Sequence, residues 1–303
     1  MLFSFFLLSS WALSEAVVDA VFDAVYILEA HYDSSKFFRE FGFFDGPDPT
    51  HGYVEYVDVS TARELDLAGH RDGLVYMGVD HTTVDPANGR KSVRVSLGPK
   101  VSSWPTSSYP GSLCGVWPAM WLHGPDWPVS GEIDIIEGVN SQSSNIVTLH
   151  TSPGCAMDNI GTTASMLRER VQPEWRWSLR LGGGVYALEW TSSLISVWFF
   201  SRRDVPVDIT NQEPNPPTWD QPAARFNGNT GCSIDAHFCN NNLVFDTTFS
   251  VAGGKARVEF VATNPFEFIE AYWLIASIRI YQQDDANQGA AGNYSSPGTY
   301  LSP

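Results

Sequence analysis

Three carboxylates fall within six residues in Ser130-Gly131-Glu132-Ile133-Asp134-Ile135-Ile136-Glu137-Gly138. In a regular strand side chains alternate, so Glu132 and Asp134 share one face while the isoleucines enter the opposite, core-facing side. Glu137 then has the wrong parity. An odd offset puts it on the isoleucine face unless one extra residue bulges out around Ile135–Ile136, and bulges often re-aim side chains beside active sites. With that bulge Glu132 and Glu137 lie about four strand steps apart, roughly 13 Å between Cα atoms. Two inward-leaning Glu side chains can close this to the ~5–5.5 Å that separates the carboxyls of a retaining glycosidase. Like charges so close cannot all ionise cheaply, so one Glu is expected to hold a proton near neutral pH while another stays anionic. That division of labour belongs to a general acid and a nucleophile. A solvated acidic strand or a calcium site are the plain alternatives, but a solvated strand has no reason to interleave acids with isoleucines and then break parity.

The elements that must position these acids read as strands. Short apolar or alternating runs are separated by Gly, Pro, Asn and Asp, without 3.6-residue periodicity. Strands are expected at Leu74–Val79, Ser92–Ser96, Val116–Leu122, Glu132–Ile136, Ile146–His150, Val185–Trp190, Leu194–Phe200, Leu243–Phe249, Arg257–Ala262 and Ala271–Tyr281. With 25 Gly and 19 Pro in 303 residues, this is an all-β chain of the sandwich or jelly-roll kind, a size such folds reach as one domain. No internal repeat is visible. Composition agrees, since 43% hydrophobic and 17% charged residues describe a globular chain. A net charge of −16 disfavours nucleic acid, whose phosphates need a basic face. The 11 Trp, 11 Tyr and 18 Phe suit either a β-rich core or stacking platforms for flat ligands.

Residues Met1 to Trp11 are almost wholly apolar yet too short to span a membrane, and lead into the small-x-Ala sites Ser14-Glu15-Ala16 and Val18-Asp19-Ala20. This pattern reads as a secretory signal peptide over 1–16, with cleavage after 16 or 20. No later apolar run approaches the ~20 residues of a transmembrane helix. Cys114, Cys155, Cys232 and Cys239 suit an oxidising compartment, with two disulfides in any of three connectivities, and their spacing matches no zinc pattern. Asn293-Tyr294-Ser295 is an N-glycosylation sequon. From Asp284 to Pro303 the composition shifts to Gly, Ala, Ser and Pro, a loose tail after the last strand.

The block Gly131-Glu132-Ile133-Asp134-Ile135-Ile136-Glu137 resembles the Glu-x-Asp-x-x-Glu signature of glycoside hydrolase family 16, and its surroundings look like the fungal endo-β-1,3(4)-glucanases, or laminarinases. Phe41–Tyr53, Cys114-Gly115-Val116-Trp117-Pro118-Ala119-Met120-Trp121, Thr148–Ser152, Gly184–Thr191, Val244–Phe249 and Glu270–Leu274 are similar to blocks of that group, in its order. The resemblance implies a jelly-roll (concanavalin A-like) sandwich of two antiparallel sheets over 17–283, with a concave substrate cleft. It implies a secreted enzyme, extracellular or in the cell wall, that cleaves β-1,3(4)-glucans with retention. Glu132 would be the nucleophile, Glu137 the acid and then base, and Asp134 the group that holds their protonation states apart. Trp117, Trp121, Trp127 and Trp273 lie in blocks that line the cleft in similar enzymes, and His150 looks like a cleft histidine. Trp190 and Trp198, far from the acids, are expected in the core. The expected partner is a β-glucan polysaccharide, with no nucleic acid, no membrane and the chain acting as a monomer. This chemistry needs no metal or organic cofactor, and no ligand cluster in the sequence suggests one.

The chain departs from the family pattern at Leu97–Pro110, Ala156–Leu181 and Val251–Lys255. Pro99, Pro105 and Pro110 and the absence of alternation argue against a central strand in the first stretch. Losing one would orphan backbone groups on two neighbours, so the segment is either rebuilt locally or leaves a poorly folding chain. Two other functions fit the same fold. A cell-wall transglycosylase uses the same covalent intermediate but passes it to a sugar, and a glucan-binding lectin-like protein has no need of two converging Glu.

Overall fold

A computed structural model describes residues 26–84, 87, 89–98, 103–108 (backbone only), 114–140, 145–158, 160, 183–229, 231–249 and 254–283. The expected leader, the expected tail and most of the two later divergent stretches lie outside these residues. Among the described residues sixteen strands, numbered in chain order, form two large antiparallel sheets and a small parallel pair. The first sheet has eight strands. They run β14 (Ala224–Asn227), β13 (Leu194–Ser201), β12 (Gly184–Trp190), β8 (Ser103–Ser108), β16 (Tyr272–Gln283), β5 (Leu74–Gly78) and β4 (Ala68–Arg71), and β1 (Tyr26–Asp33) also pairs with β16. The second runs β11 (Thr148–His150), β10 (Glu132–Glu137), β9 (Val116–His123), β15 (Asn242–Phe249), β7 (Val95–Leu97) and β2 (Gly42–Phe43). The parallel pair is β3 (Val54–Tyr56) with β6 (Arg90–Ser92). This is the jelly-roll sandwich that the run of short strands predicts.

Alternation along the strands makes the core. Ile133, Met120, Leu122, Phe245, Val95, Ile275 and Ile278 are all essentially without exposure and belong to one cluster between the large sheets. Each such side chain contributes roughly 1.5–3 kcal/mol of burial. The outer face of the eight-stranded sheet carries a second layer, in which Trp198 (4% exposed) packs edge-on against Trp219 at 5.2 Å, beside Ala187 and Tyr281. Trp198 is therefore a packing residue, as expected of it. Trp190 packs edge-on against Phe238 at 6.4 Å. No helix among the described residues is long and apolar enough to cross a membrane.

Three expectations are corrected. First, Ser103–Ser108 is a strand after all, placed between β12 and β16. Pro105 lies beyond the ladder to β12, which covers only Thr106 and Ser107, and within the ladder to β16, opposite Ile278. Second, Arg257–Ala262 is not a strand but part of a helix over Lys255–Thr263. Val258, Phe260 and Ala262 alternate while Val258, Val261 and Ala262 have helical spacing, an ambiguity of short windows, and Val261 and Ala262 are the pair it buries. Third, the strand expected over Ser92–Ser96 is split into β6 and β7, which belong to different sheets.

Candidate active site

The acids lie on β10, and the bulge needed for their parity is there. Glu132, Ile133 and Asp134 pair with His123, Leu122 and Trp121 of β9, but Ile136 and Glu137 pair with Met120 and Ala119, so Ile135 is the extra residue. Residues in register on antiparallel strands share a face. Glu132, Asp134 and Glu137 therefore stand together on the outer face of the six-stranded sheet. On the inner side Ile133, Ile135 and Ile136 are fully buried.

The hairpin that delivers Glu132 depends on Gly131, whose φ is +76°. A Cβ there would lie 2.3 Å from the His237 carbonyl oxygen and 2.5 Å from a Phe238 ring carbon. We expect Gly131→Ala to cost roughly 2–4 kcal/mol, from the left-handed backbone and the overlap together. Thermal melting checks this, and a variant as stable as the parent would contradict it.

His150 comes from β11, in register with Glu132. Its Nε2 is 3.4 Å from Glu132 Oε1 and 3.4 Å from Asp134 Oδ2. The Asp134 hydrogen bond, with the Glu132 charge, raises the imidazole above its ordinary value. Burial, with the Asp134 carboxylate, pushes Glu132 up to about 7, while His150 and a Trp127 hydrogen bond act the other way. Burial and Asp134 also raise Glu137, opposed by its hydrogen bond from Trp117. That bond is 3.1 Å, from the indole Nε1 to Oε1. Glu132 and His150 thus titrate together and not independently.

The aromatic residues expected around the acids divide three ways. Trp117 is half-buried and holds Glu137 by its N–H. Trp127 is 59% exposed on the loop before Gly131, its ring 6.5 Å from that of His150, and offers an open face. Trp121 is 9% exposed, stacked on His123 at 4.7 Å, with its N–H directed to Asp246 Oδ2 at 3.4 Å. Trp273 is not in the site. It is 1% exposed in the inter-sheet core, packed edge-on against Phe245, with its Nε1 donating to the Asp246 carbonyl and Thr247 Oγ1 at 3.1 Å each. Its position on β16 of the other sheet rules out stacking on a sugar.

Beside the acids, on the same face of the sheet, lies a buried polar pair that the sequence reading did not single out. Asp246 of β15 stands in register with Ala119, as Glu137 does from the other side. It is 5% exposed, and burial pushes its carboxyl up to about 7 despite Arg94, whose guanidinium is 3.8 Å away. Arg94 in turn lies over the rings of Phe44 (4.7 Å), Trp121 (5.1 Å) and Tyr56 (5.8 Å). A lone Asp amid the apolar residues of Leu243–Phe249 was the available signal, since an unforced acid there has no core role. The fold also makes a cluster that the linear spacing hides. The ligating atoms of Glu132, Asp134 and His150 all lie within 4.8 Å of one another and could hold a cation. They are the two acids and the histidine that the sequence reading places in the cleft, so a cation there would occupy the same ground.

The thiol pairing is now resolved in part. Cys155 and Cys232 form a disulfide, while Cys114 and Cys239 are free.

The family model for an XgeA-like, catalytic GH16 domain matches residues 41–175 and 179–281. The chain belongs to glycoside hydrolase family 16. Among curated proteins, this family 16 chain is 37% identical to an endo-1,3(4)-beta-glucanase of Arthroderma benhamiae over 87% of its own length. It spans 66% of that relative and under half of several Aspergillus relatives. Among solved structures it is 36% identical, with a TM-score of 0.77, to an elongating family 16 beta-1,3-glucosyltransferase, covering 85% of this chain and all of that one. It is also 36% identical, with a TM-score of 0.75, to Laminarinase 16A of Phanerochaete chrysosporium with 6-O-glucosyl-laminaritriose in donor and acceptor sites, over 86% of this chain and all of that one.

Proposed function

We propose that this chain is a secreted, retaining endo-β-1,3(4)-glucanase acting on laminarin-like glucans. The observation that carries the reading is the bulge at Ile135, which sets Glu132 and Glu137 on one face with Asp134 between them. In this reading the Glu132 carboxylate attacks the anomeric carbon while Glu137 gives its proton to the departing glycosidic oxygen. Glu137, now a carboxylate, then takes a proton from water, which displaces Glu132 from the glycosyl-enzyme. Asp134 and His150 hold the nucleophile between them, and a proton on His150 favours the Glu132 anion. Trp127 offers a flat face for a glucose ring, and Trp117 and Trp121 border the acids. The names of the fungal relatives support the substrate class, and the Cys155–Cys232 disulfide supports an oxidising, extracellular setting.

The test is reducing-sugar release from laminarin and lichenan, with the anomeric form of the first products followed by NMR. Cleavage that first gives β-anomers is expected. Inert protein, or α-anomers appearing first, would overturn the proposal. The equal similarity to an elongating glucosyltransferase favours a second reading, transfer to sugar in place of water. Products longer than the starting laminari-oligosaccharide would establish it.

A further inference from the structure

The bulge that turns Glu137 toward the other acids disturbs the strand on its free side. The ladder from β10 to β11 covers only Glu132 to Asp134, so beyond it the Ile135 carbonyl and the Glu137 N–H have no strand partner. A single amide side chain occupies that place. Asn145 donates from Nδ2 to the Ile135 carbonyl at 2.8 Å and accepts the Glu137 N–H on Oδ1 at 2.9 Å. The next residue, Ile146, donates its N–H to the Glu137 carbonyl at 3.1 Å. On the β11 side regular pairing ends at Asp134, and a carboxamide there presents one donor and one acceptor side by side.

We propose that Asn145 is the positioning residue of the acid/base, standing in for a strand so that the bulge, and with it the direction of the Glu137 carboxyl, has one conformation. The proposal rests on the reading of Glu137 as acid and base. Glu132 is held differently, by regular pairing to His123 on one side and His150 on the other. Loss of Asn145 therefore affects proton donation and spares nucleophilic attack. That asymmetry separates positioning from general loss of structure, because a loosened fold harms both steps together.

Two substrates read the two steps. Laminarin needs a proton on its leaving oxygen, whereas 2,4-dinitrophenyl β-laminaribioside carries a leaving group that departs as an anion. The measured quantity is kcat/KM, which reports glycosylation alone. For Asn145→Ala we expect a loss of roughly 10- to 100-fold on laminarin, the scale of a misplaced reacting group, and less than about 3-fold on the aryl glycoside. Asn145→Asp keeps the acceptor for the Glu137 N–H but not the donor, so it should show the same split with a smaller loss, and it carries the test should the Ala variant not fold. Equal losses on both substrates, or no loss on laminarin, would overturn the proposal. Glu137→Gln run beside them must show the split too. If it does not, the assignment of Glu137 fails and not merely the role of Asn145.

Discussion

Glu132→Gln should abolish glucan cleavage and at the same time make the protein more stable at alkaline pH. The loss follows from removing the nucleophile and is expected on the order of 10⁴-fold or more in kcat, since groups that form the covalent bond have no substitute in the site. The gain follows from the proton linkage. Glu132 is raised to about 7 in the folded chain, so its folded form holds a proton more tightly than its unfolded form does. Above pH 7 the folded state carries a buried charge that the unfolded state solvates freely. This penalty fades as pH falls from 7 toward the ordinary carboxylate range, where both states are protonated. The neutral amide escapes it, which amounts to roughly 1–3 kcal/mol at pH 8 and nothing near pH 4. Thermal melts of parent and variant at those two pH values read the effect directly. A variant that still turns over laminarin within 100-fold of the parent, or one that melts earlier at pH 8, would contradict the assignment of Glu132. Loss of activity together with a later melt at pH 8 would make the site an instance of stability given up for function.

The second large effect concerns pH. With Glu132 as the proposed nucleophile and Glu137 as the proposed acid, cleavage needs the first ionised and the second protonated, so kcat/KM for laminarin should trace a bell, with one limb for each loss of the singly protonated pair. Burial and the Asp134 carboxylate raise both carboxyls. The whole bell should therefore lie above the ordinary Glu range. Glu137→Gln should lose roughly 10²- to 10⁴-fold on laminarin. What activity remains, measured on the aryl glycoside, should keep the acid limb and lose the alkaline one. The acid limb itself should stay close to its place, because Glu137 is uncharged while Glu132 ionises and the amide replaces a neutral acid. An alkaline limb that persists in the variant would assign it to another group.

The chemistry was more legible than the scaffold. Parity alone places the bulge, because acids five residues apart must be reconciled with three demands of the core, at Ile133, Ile135 and Ile136. What failed did so where local sequence is silent about its neighbours. Ser103–Ser108 has no apolar alternation, and its strand is made by β12 and β16, partners far along the chain. Trp273 stands in a block that resembles cleft residues, but its neighbour on the next sheet is Phe245, a contact no linear reading shows. Asp246 and Arg94 lie 152 residues apart in sequence, counted from their numbers, and meet only because β15 and β7 are paired. Asn145 needed the bulge to be seen first, since its amide serves backbone groups that exist unpaired only after the strand has been distorted.

The disulfide between Cys155 and Cys232 has a meaning beyond the static fold. The cysteines are 77 residues apart, and the closed loop contains β12, β13 and β14, a contiguous run at one end of the eight-stranded sheet. Cys155 follows β11, the terminal strand of the other sheet, five residues after His150. On a chain-entropy view a loop of that length removes about 4 kcal/mol of freedom from the denatured ensemble. The bond thus acts most when the protein is not folded. It keeps the margins of two sheets that are remote in sequence within reach of each other, so that the histidine beside Glu132 returns to its place without a search across the whole chain.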